Sequence, residues 1–178
     1  LKTERQLLRG VRQLSADALT EAYDRYSPEL YAFAMRQLAN AGLAEDCVAE
    51  TYRRLLDAVH REKGPRRYLR AYLYRTAHNW IMDNYRRPQT EGIAEVGPLE
   101  DDDSDAPEQG LEAEARRKEL LEAMADLTAD QRQVLVLRFV EEWSLADTAR
   151  AMERSVGAVK TLQFRAVRAL ADALGHGD

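Results

Sequence analysis

Arginine, lysine and amide side chains recur in this chain at helical spacing in two places, and the chemistry open to them there is recognition of phosphates and base edges. Residues 61–87 hold eight Lys/Arg against two acids, interleaved with Tyr68, Tyr72, Tyr74, Trp80 and Tyr85. Basic groups attract phosphate whatever the sequence, aromatic faces stack on unpaired bases, and Asn79 and Asn84 can hydrogen-bond to base edges. That combination suits single-stranded or opening DNA, with Arg66, Arg67, Arg70 and Arg75 as the first candidates for phosphate contact. Plain helix packing explains part of the pattern, because Tyr68, Tyr72 and Tyr74 stand at spacings that suit core or half-buried positions. The arginines are too one-sided to be balanced surface charge. The second place is residues 150–168, with five basic residues and one acid. There Lys160, Thr161, Gln163, Arg165 and Arg168 would share an exposed helix face, and Arg can grip guanine and Gln adenine in a major groove.

Other chemistries find no residues to carry them. Cys47 is the single cysteine, so no internal disulfide is possible, and it reads as a small buried side chain. His60, His78 and His176 are scattered without zinc-ligand spacing. Asp101, Asp102 and Asp103 lack the rigid converging frame that a hard cation needs. With no phosphate-binding Gly-rich loop and no Ser nucleophile in a recognisable turn, a hydrolase or nuclease fits poorly, and neither a catalytic residue nor a cofactor is expected.

The elements that must position these residues are helices. Ala, Leu, Arg and Glu dominate, while the nine Gly and five Pro are few and clustered, so the expected class is all-α. From Ser15 an apolar series Leu19, Ala22, Tyr23, Tyr26 leads to Ser27-Pro28, where a new helix is expected to start. That helix carries Leu30, Tyr31, Phe33, Ala34 and Leu38 and should stop at Asn40-Ala41-Gly42. A third runs over residues 44–60 with Val48, Tyr52, Leu55 and Val59 on one face. Gly64-Pro65 then breaks the chain before a helix over residues 66–86. Further on, residues 116–127 form a helix, Thr128 to Gln131 reads as a capping box opening the next, and Ser144 opens another by the same chemistry. Residues 145–152, a break at Glu153-Arg154-Ser155, and a helix over residues 156–174 have helix-turn-helix spacing. Leu145, Ala149, Met152, Val159 and Leu162 or Phe164 would point inward.

Charge divides the chain more sharply than hydropathy does. Residues 1–87 carry +5, residues 88–115 carry −10 with no basic residue, and residues 116–178 carry 0, which together give the net −5. The middle stretch also holds Pro98 and Pro107 and cannot bury enough apolar surface to offset the entropy of ordering, so it is expected to be a flexible acidic linker between two small domains. Extended it would span at most roughly 100 Å, and as a coil about 30 Å, enough to set two DNA-binding units about one duplex turn apart. The lone cysteine fits a reducing cytoplasm, and no apolar run approaches the roughly 20 residues a membrane span requires. Since the chain begins at Leu1 and not Met, some N-terminal residues are expected to be missing.

Four segments in this order resemble the extracytoplasmic-function sigma factors of the sigma-70 family. AEDCVAETY at residues 44–52 is similar to that family's "AEDLVQETF", and YLRAYLYRTAHNWIMDNYRR at residues 68–87 to its "LRAWLYRIARNLAIDYLRR". LTADQRQVLVLRFVEEWS at residues 127–144 resembles "LPPEQREVLLLRYVEGLS", and Gly157-Ala158-Val159-Lys160 with Arg165-Ala166 resembles "GTVKSRLHRA". The resemblance implies a sigma-2-like helical bundle over residues 1–87 and a sigma-4-like helix-turn-helix domain over residues 116–178. It implies that Asp46, Glu50, Arg53 and Arg54 dock on the clamp helices of the polymerase beta-prime subunit. Asn79, Asp83, Arg86 and Arg87, with the basic loop and helix around them, would bind and open the minus-10 promoter element. Ser155, Lys160, Thr161 and Arg165 would read the minus-35 element, and Leu135, Arg138 and Phe139 would lie near the beta flap. The implied partners are core RNA polymerase, promoter DNA and an inhibitory anti-sigma factor, with the acidic linker threading polymerase channels that otherwise carry nucleic acid.

The sequence departs from the family at Glu153, where Gly is common, so the turn either avoids a left-handed residue there or carries modest strain. Arg154 replaces a usual apolar residue and Thr148 a usual Ile, which weakens the expected helix packing. Leu162-Gln163 stands where Arg-Leu is common. The competing reading is a helix-turn-helix regulator that binds duplex DNA without polymerase, for which the cluster at residues 61–87 would be idle.

Overall fold

The computed structural model describes residues 1–85 and 107–175. Arg86, Arg87, His176 and the part of the acidic stretch from Pro88 to Ala106 lie outside the described residues. Among the described residues every regular element is helical: α1 Glu4–Arg12, α2 Ala16–Leu38, α3 Ala41–His60, α4 Leu69–Tyr85, α5 Pro107–Ala125, α6 Ala129–Leu135, a π-helical turn Val136–Val140, α7 Leu145–Met152 and α8 Val156–Ala173. None of these helices is long and apolar enough to cross a membrane. The chain divides into two compact units, one built on α1–α4 and the other on α5–α8.

In the first unit α2 packs against α1, α3 and α4. Its buried residues Ala18, Ala22, Tyr26, Leu30, Phe33, Ala34 and Gln37 recur every three or four positions, so the stripe runs past Pro28 without changing phase. The expected break at Ser27-Pro28 is therefore absent. Pro28 costs one intrahelical hydrogen bond, but a break would turn the second half of the stripe away from the helices that cover it. Around it stand Leu7, Val11, Leu55, Leu69, Leu73, Tyr74 and Ile81, all fully buried. Phe33 and Tyr74 meet edge to face with centroids 5.0 Å apart. Cys47 is buried as expected, its Sγ 3.7 Å from the Ala77 carbonyl, and burial pushes its thiol up to about 12.

Four further boundaries differ from the sequence reading. α1 was not expected, although Thr3 and Gln6 form a reciprocal capping box like the one predicted at Thr128 and Gln131. Asn40 does not end α2; its Oδ1 accepts from the Leu43 amide and opens α3, so Gly42 lies inside a helix. The basic loop continues to Tyr68, and α4 starts three residues later than expected, at Leu69. In the second unit α5 begins at Pro107, inside the segment assigned to the linker and nine residues before Arg116. Pro is favoured at a first helical position, and Glu112 pairs with Arg116 one turn on at 3.6 Å.

Five helical segments end on a non-glycine residue with positive φ: Leu14, Ala39, Glu62, Glu142 and Glu153. This is the conformation that usually selects Gly just past a helix, and at Glu153 it means that the turn accepts the left-handed residue instead of avoiding it. Gly10 serves a different purpose. A Cβ there would stand 2.5 Å from the Ala18 Cβ, so its missing side chain is what lets α1 approach α2.

Two substitutions should move stability in opposite directions. Gly10→Ala is expected to destabilise the chain by about 1–2 kcal/mol, since the clash with Ala18 outweighs the roughly 1 kcal/mol helix-propensity gain. Ala39→Gly, at φ 48°, should stabilise it by about 0.5–1 kcal/mol. Urea midpoints of the first unit's unfolding transition read both.

Candidate nucleic-acid interface

α8 is built to display one face and bury the other. Ser155 caps it, its Oγ accepting from the Ala158 amide at 3.1 Å. Val159 and Ala166 are buried, with Leu162 and Gln163 half-buried beside them. Lys160, Thr161, Phe164, Arg165 and Arg168 are exposed. At 3.6 residues per turn these five fall within roughly 140° of arc, and residues 160–168 span about 12 Å, close to the width of a B-DNA major groove. The Thr161 hydroxyl donates to the Gly157 carbonyl at 3.1 Å, which leaves its oxygen able to accept.

Gln163 stands apart from the face expected of it. Its Oε1 accepts from Arg138 Nε at 3.1 Å, while Arg138 also donates to the Trp143 carbonyl. One guanidinium thus ties α8 to the π turn and to the loop that follows. The π turn itself is defined by the Glu141 amide bonding back five residues to the Val136 carbonyl at 2.9 Å. π turns of this kind occur frequently at functional sites. Here the turn leaves Phe139 58% exposed and Val140 beside it exposed as well, whereas Leu135 is only 5% exposed and packs in the core. Of Leu135, Arg138 and Phe139, only Phe139 offers an exposed apolar surface, while Leu135 packs in the core. Thr148, expected to weaken packing, is buried with its hydroxyl donating to the Ser144 carbonyl at 2.9 Å, so the polar group is satisfied. Phe164, offered as an inward residue, is instead 69% exposed in the midst of the basic face.

In the first unit the arginines of the 61–87 cluster separate into two kinds. Arg66 and Arg67 are exposed in the loop. Arg70 is committed to structure: it pairs with Glu29 at 2.9 Å and lies 5.7 Å from the Tyr74 ring centroid, joining α4 to α2. Arg75 lies over the Tyr72 ring at 5.2 Å. Tyr74 is core, Tyr72 half-buried and Tyr68 exposed. Asn79 and Asp83 are exposed one turn apart on α4. Asn84, in contrast, spends an amide N–H on the Trp80 carbonyl at 3.0 Å.

The α3 residues Asp46, Glu50, Arg53 and Arg54 lie along one stripe, Asp46 and Arg53 exposed and Glu50 and Arg54 half-buried, and three of them are joined. Arg53 meets Glu50 at 2.7 Å and Asp57 at 2.6 Å, and Arg54 meets Glu50 at 2.8 Å and Asp83 at 3.9 Å. Hydrogen bonds from Arg53 and then Arg54 hold the Glu50 carboxyl down at about 2. Asp46 lies at the N-terminal end of the stripe, exposed.

Comparison with known proteins identifies both units. Residues 22–91 match Sigma-70 region 2, and residues 117–170 match Sigma-70, region 4. SigL of Mycobacterium tuberculosis, an ECF RNA polymerase sigma factor, is 31% identical over 165 residues, covering 90% of this chain and 91% of that protein. The chain belongs to the ECF sigma factors of the sigma-70 family. Another relative, the ECF RNA polymerase sigma factor BldN of Streptomyces coelicolor, is 31% identical over 168 residues, covering 93% of this chain. This sigma factor spans 64% of BldN's length. Its fold is similar to that of the sigma factor RpoE of Bartonella quintana, solved with the anti-sigma factor NepR, at a TM-score of 0.64 and 21% identity, covering 88% of this chain and 96% of that one.

The sequence reading missed two exposed side chains of this sigma factor's second unit, Val140 and Phe164. The outward position of Phe164 was legible in its spacing of four residues from Lys160 and Arg168. Nothing in the sequence signalled the π turn that turns Val140 outward.

The Glu50 cluster has a measurable signature. With a folded value depressed from 4.5 to about 2, Glu50 stabilises the fold fully above its unfolded value and loses that contribution as pH falls toward 2. In a carboxyl-carbon NMR titration, Arg53→Ala with Arg54→Ala should return its midpoint toward the ordinary carboxylate range.

Proposed function

We propose that this sigma factor binds core RNA polymerase, carries it to promoters, helps open the DNA and so starts transcription, without catalysing a reaction itself. The observation that carries the reading is the occurrence of region 2 and region 4 in that order in one chain. A duplex-binding regulator has no use for the first of these. The exposed faces of the helices support a division of labour. α8, with Ser155, Lys160, Thr161, Arg165 and Arg168, takes the minus-35 element, and Phe164 in the same face suits an apolar contact such as a thymine methyl. Arg66, Arg67, Asn79 and Asp83, with Arg86 and Arg87, take the minus-10 element, while Arg70 and Arg75 position them. The stripe of Asp46, Glu50, Arg53 and Arg54 serves the beta-prime subunit and Phe139 the beta flap, with Arg138 and Gln163 bracing that turn.

Residues 1–87 and the unit that begins at Pro107 act as separate modules joined by the acidic stretch. The chain works in the cytoplasm, where polymerase and promoters are. An anti-sigma factor is its proposed inhibitor, a reading supported by the presence of NepR with the similar RpoE.

The test is gel filtration of the purified chain with bacterial core RNA polymerase, followed by transcription from pooled genomic fragments. Co-elution with promoter-specific transcripts is expected. Binding to fragments by the chain alone, with no association with core enzyme, would replace this reading with the regulator. Lys160→Ala and Arg165→Ala should each lower specific transcripts by about 5- to 150-fold, the range set by 1–3 kcal/mol per base or phosphate contact, without changing the affinity for core enzyme.

A further inference from the structure

α1 carries a second basic surface that the family motifs do not include. Arg5, Arg9 and Arg12 stand at spacings of four and three, on the side of the helix away from the fully buried Leu7 and Val11. With Leu8, Gln13 and, from the loop before α4, Arg66, they line an open groove of about 450 Å³. Four arginines line this groove and no acid does. Among the described residues none of the four is held in an ion pair. Other arginines of the same unit are matched: Arg25 with Glu21, Arg53 and Arg54 with Glu50, and Arg70 with Glu29. The groove is also rigidly framed. The Thr3–Gln6 capping box fixes the start of α1, and the close approach of Gly10 to Ala18 seats it on α2.

We propose that this groove holds backbone phosphates of one promoter strand beside the minus-10 element, an inference that rests on the sigma-factor reading above. Unmatched arginines in a preformed groove supply planar, bidentate donors to phosphate and gain most from an anionic ligand. The distance along α1 between Arg5 and Arg12 is about 10 Å, which corresponds to roughly three nucleotides of rise along one strand. Arg66 joins the groove directly to the exposed loop assigned to the minus-10 element, so a strand on that loop continues onto α1. A protein partner fits less well: Leu8 is nearly buried, so the groove has no exposed apolar anchor of the kind that centres a protein interface, whereas strong positive charge marks interfaces with nucleic acid.

The experiment compares holoenzymes reconstituted with the wild-type chain, with Arg5→Gln/Arg9→Gln/Arg12→Gln and with the charge-preserving Arg5→Lys/Arg9→Lys/Arg12→Lys. The probe is a promoter fragment recovered in the transcription assay, and promoter affinity is measured against salt concentration. The glutamine variant is expected to lose about 2–3 from the slope of log affinity against log salt, near 0.9 per phosphate contact, while binding core enzyme as well as wild type does. The lysine variant should keep most of the slope. An unchanged slope in the glutamine holoenzyme overturns the proposal, and so does a loss of core-enzyme affinity with the slope intact, which would make the groove a protein contact. Should the triple variant fail to fold, Arg9→Gln alone must lower the slope by about 1. Failure of the wild-type chain to bind core enzyme would refute the sigma-factor reading instead, and the two failures are told apart by the wild-type control.

Discussion

The apolar stripe of α2 has to be covered along its whole length, and the first unit is arranged around that requirement. Burial of Ala18, Ala22, Tyr26, Leu30 and Phe33 needs one helix on each open side, which α1, α3 and α4 provide. Continuity of the stripe overrides the local preference of Pro28 to begin a helix. The same packing decides which side chains are left for function, because each covering helix spends one face on α2 and keeps the other for solvent. On α3 the outward face is the Asp46–Glu50–Arg53–Arg54 stripe, on α4 it is Asn79 and Asp83, and on α1 it is Arg5, Arg9 and Arg12.

Ion pairing then sorts the exposed charges. Arg70, in a cluster rich in basic residues, is a brace between α4 and α2 through Glu29. Arg53 and Arg54 are shared among Glu50, Asp57 and Asp83, so a partner that docks on α3 must exchange one set of charge contacts for another. Exposed pairs of this kind are worth little each, which makes the exchange inexpensive. Arg66, with the α1 arginines, has no such partner among the described residues and keeps its full attraction for phosphate.

In the second unit the comparable decision is made by Arg138. By bonding Gln163 and the Trp143 carbonyl it couples α8 to the π turn, and so links the basic face of α8 with the exposed Phe139 and Val140. Widening the helix by one residue turns those two side chains outward while Val136 and Leu137 stay in the core. A regular helix through the same residues would not keep both sets of contacts.

The sequence alone determined what short-range chemistry controls. The all-α class, the capping box at Thr128 and the Ser144 cap, the burial of Cys47 and the basic outward face at Lys160, Thr161, Arg165 and Arg168 all follow from hydrogen-bond capacity and helical periodicity over a few residues. The four ordered motifs were legible for the same reason, being local strings. What only the tertiary structure decided depends on groups distant in sequence. Pro28 stays inside a helix because other helices cover both halves of its stripe; α5 starts at Pro107, although composition favoured a longer tether; Leu135 is core and Phe164 surface because packing against α8 sets their orientation. Gln163 and Arg138 are 25 residues apart, and Arg66 meets the α1 arginines only across a folded unit, so neither the brace nor the groove has a signature in linear spacing.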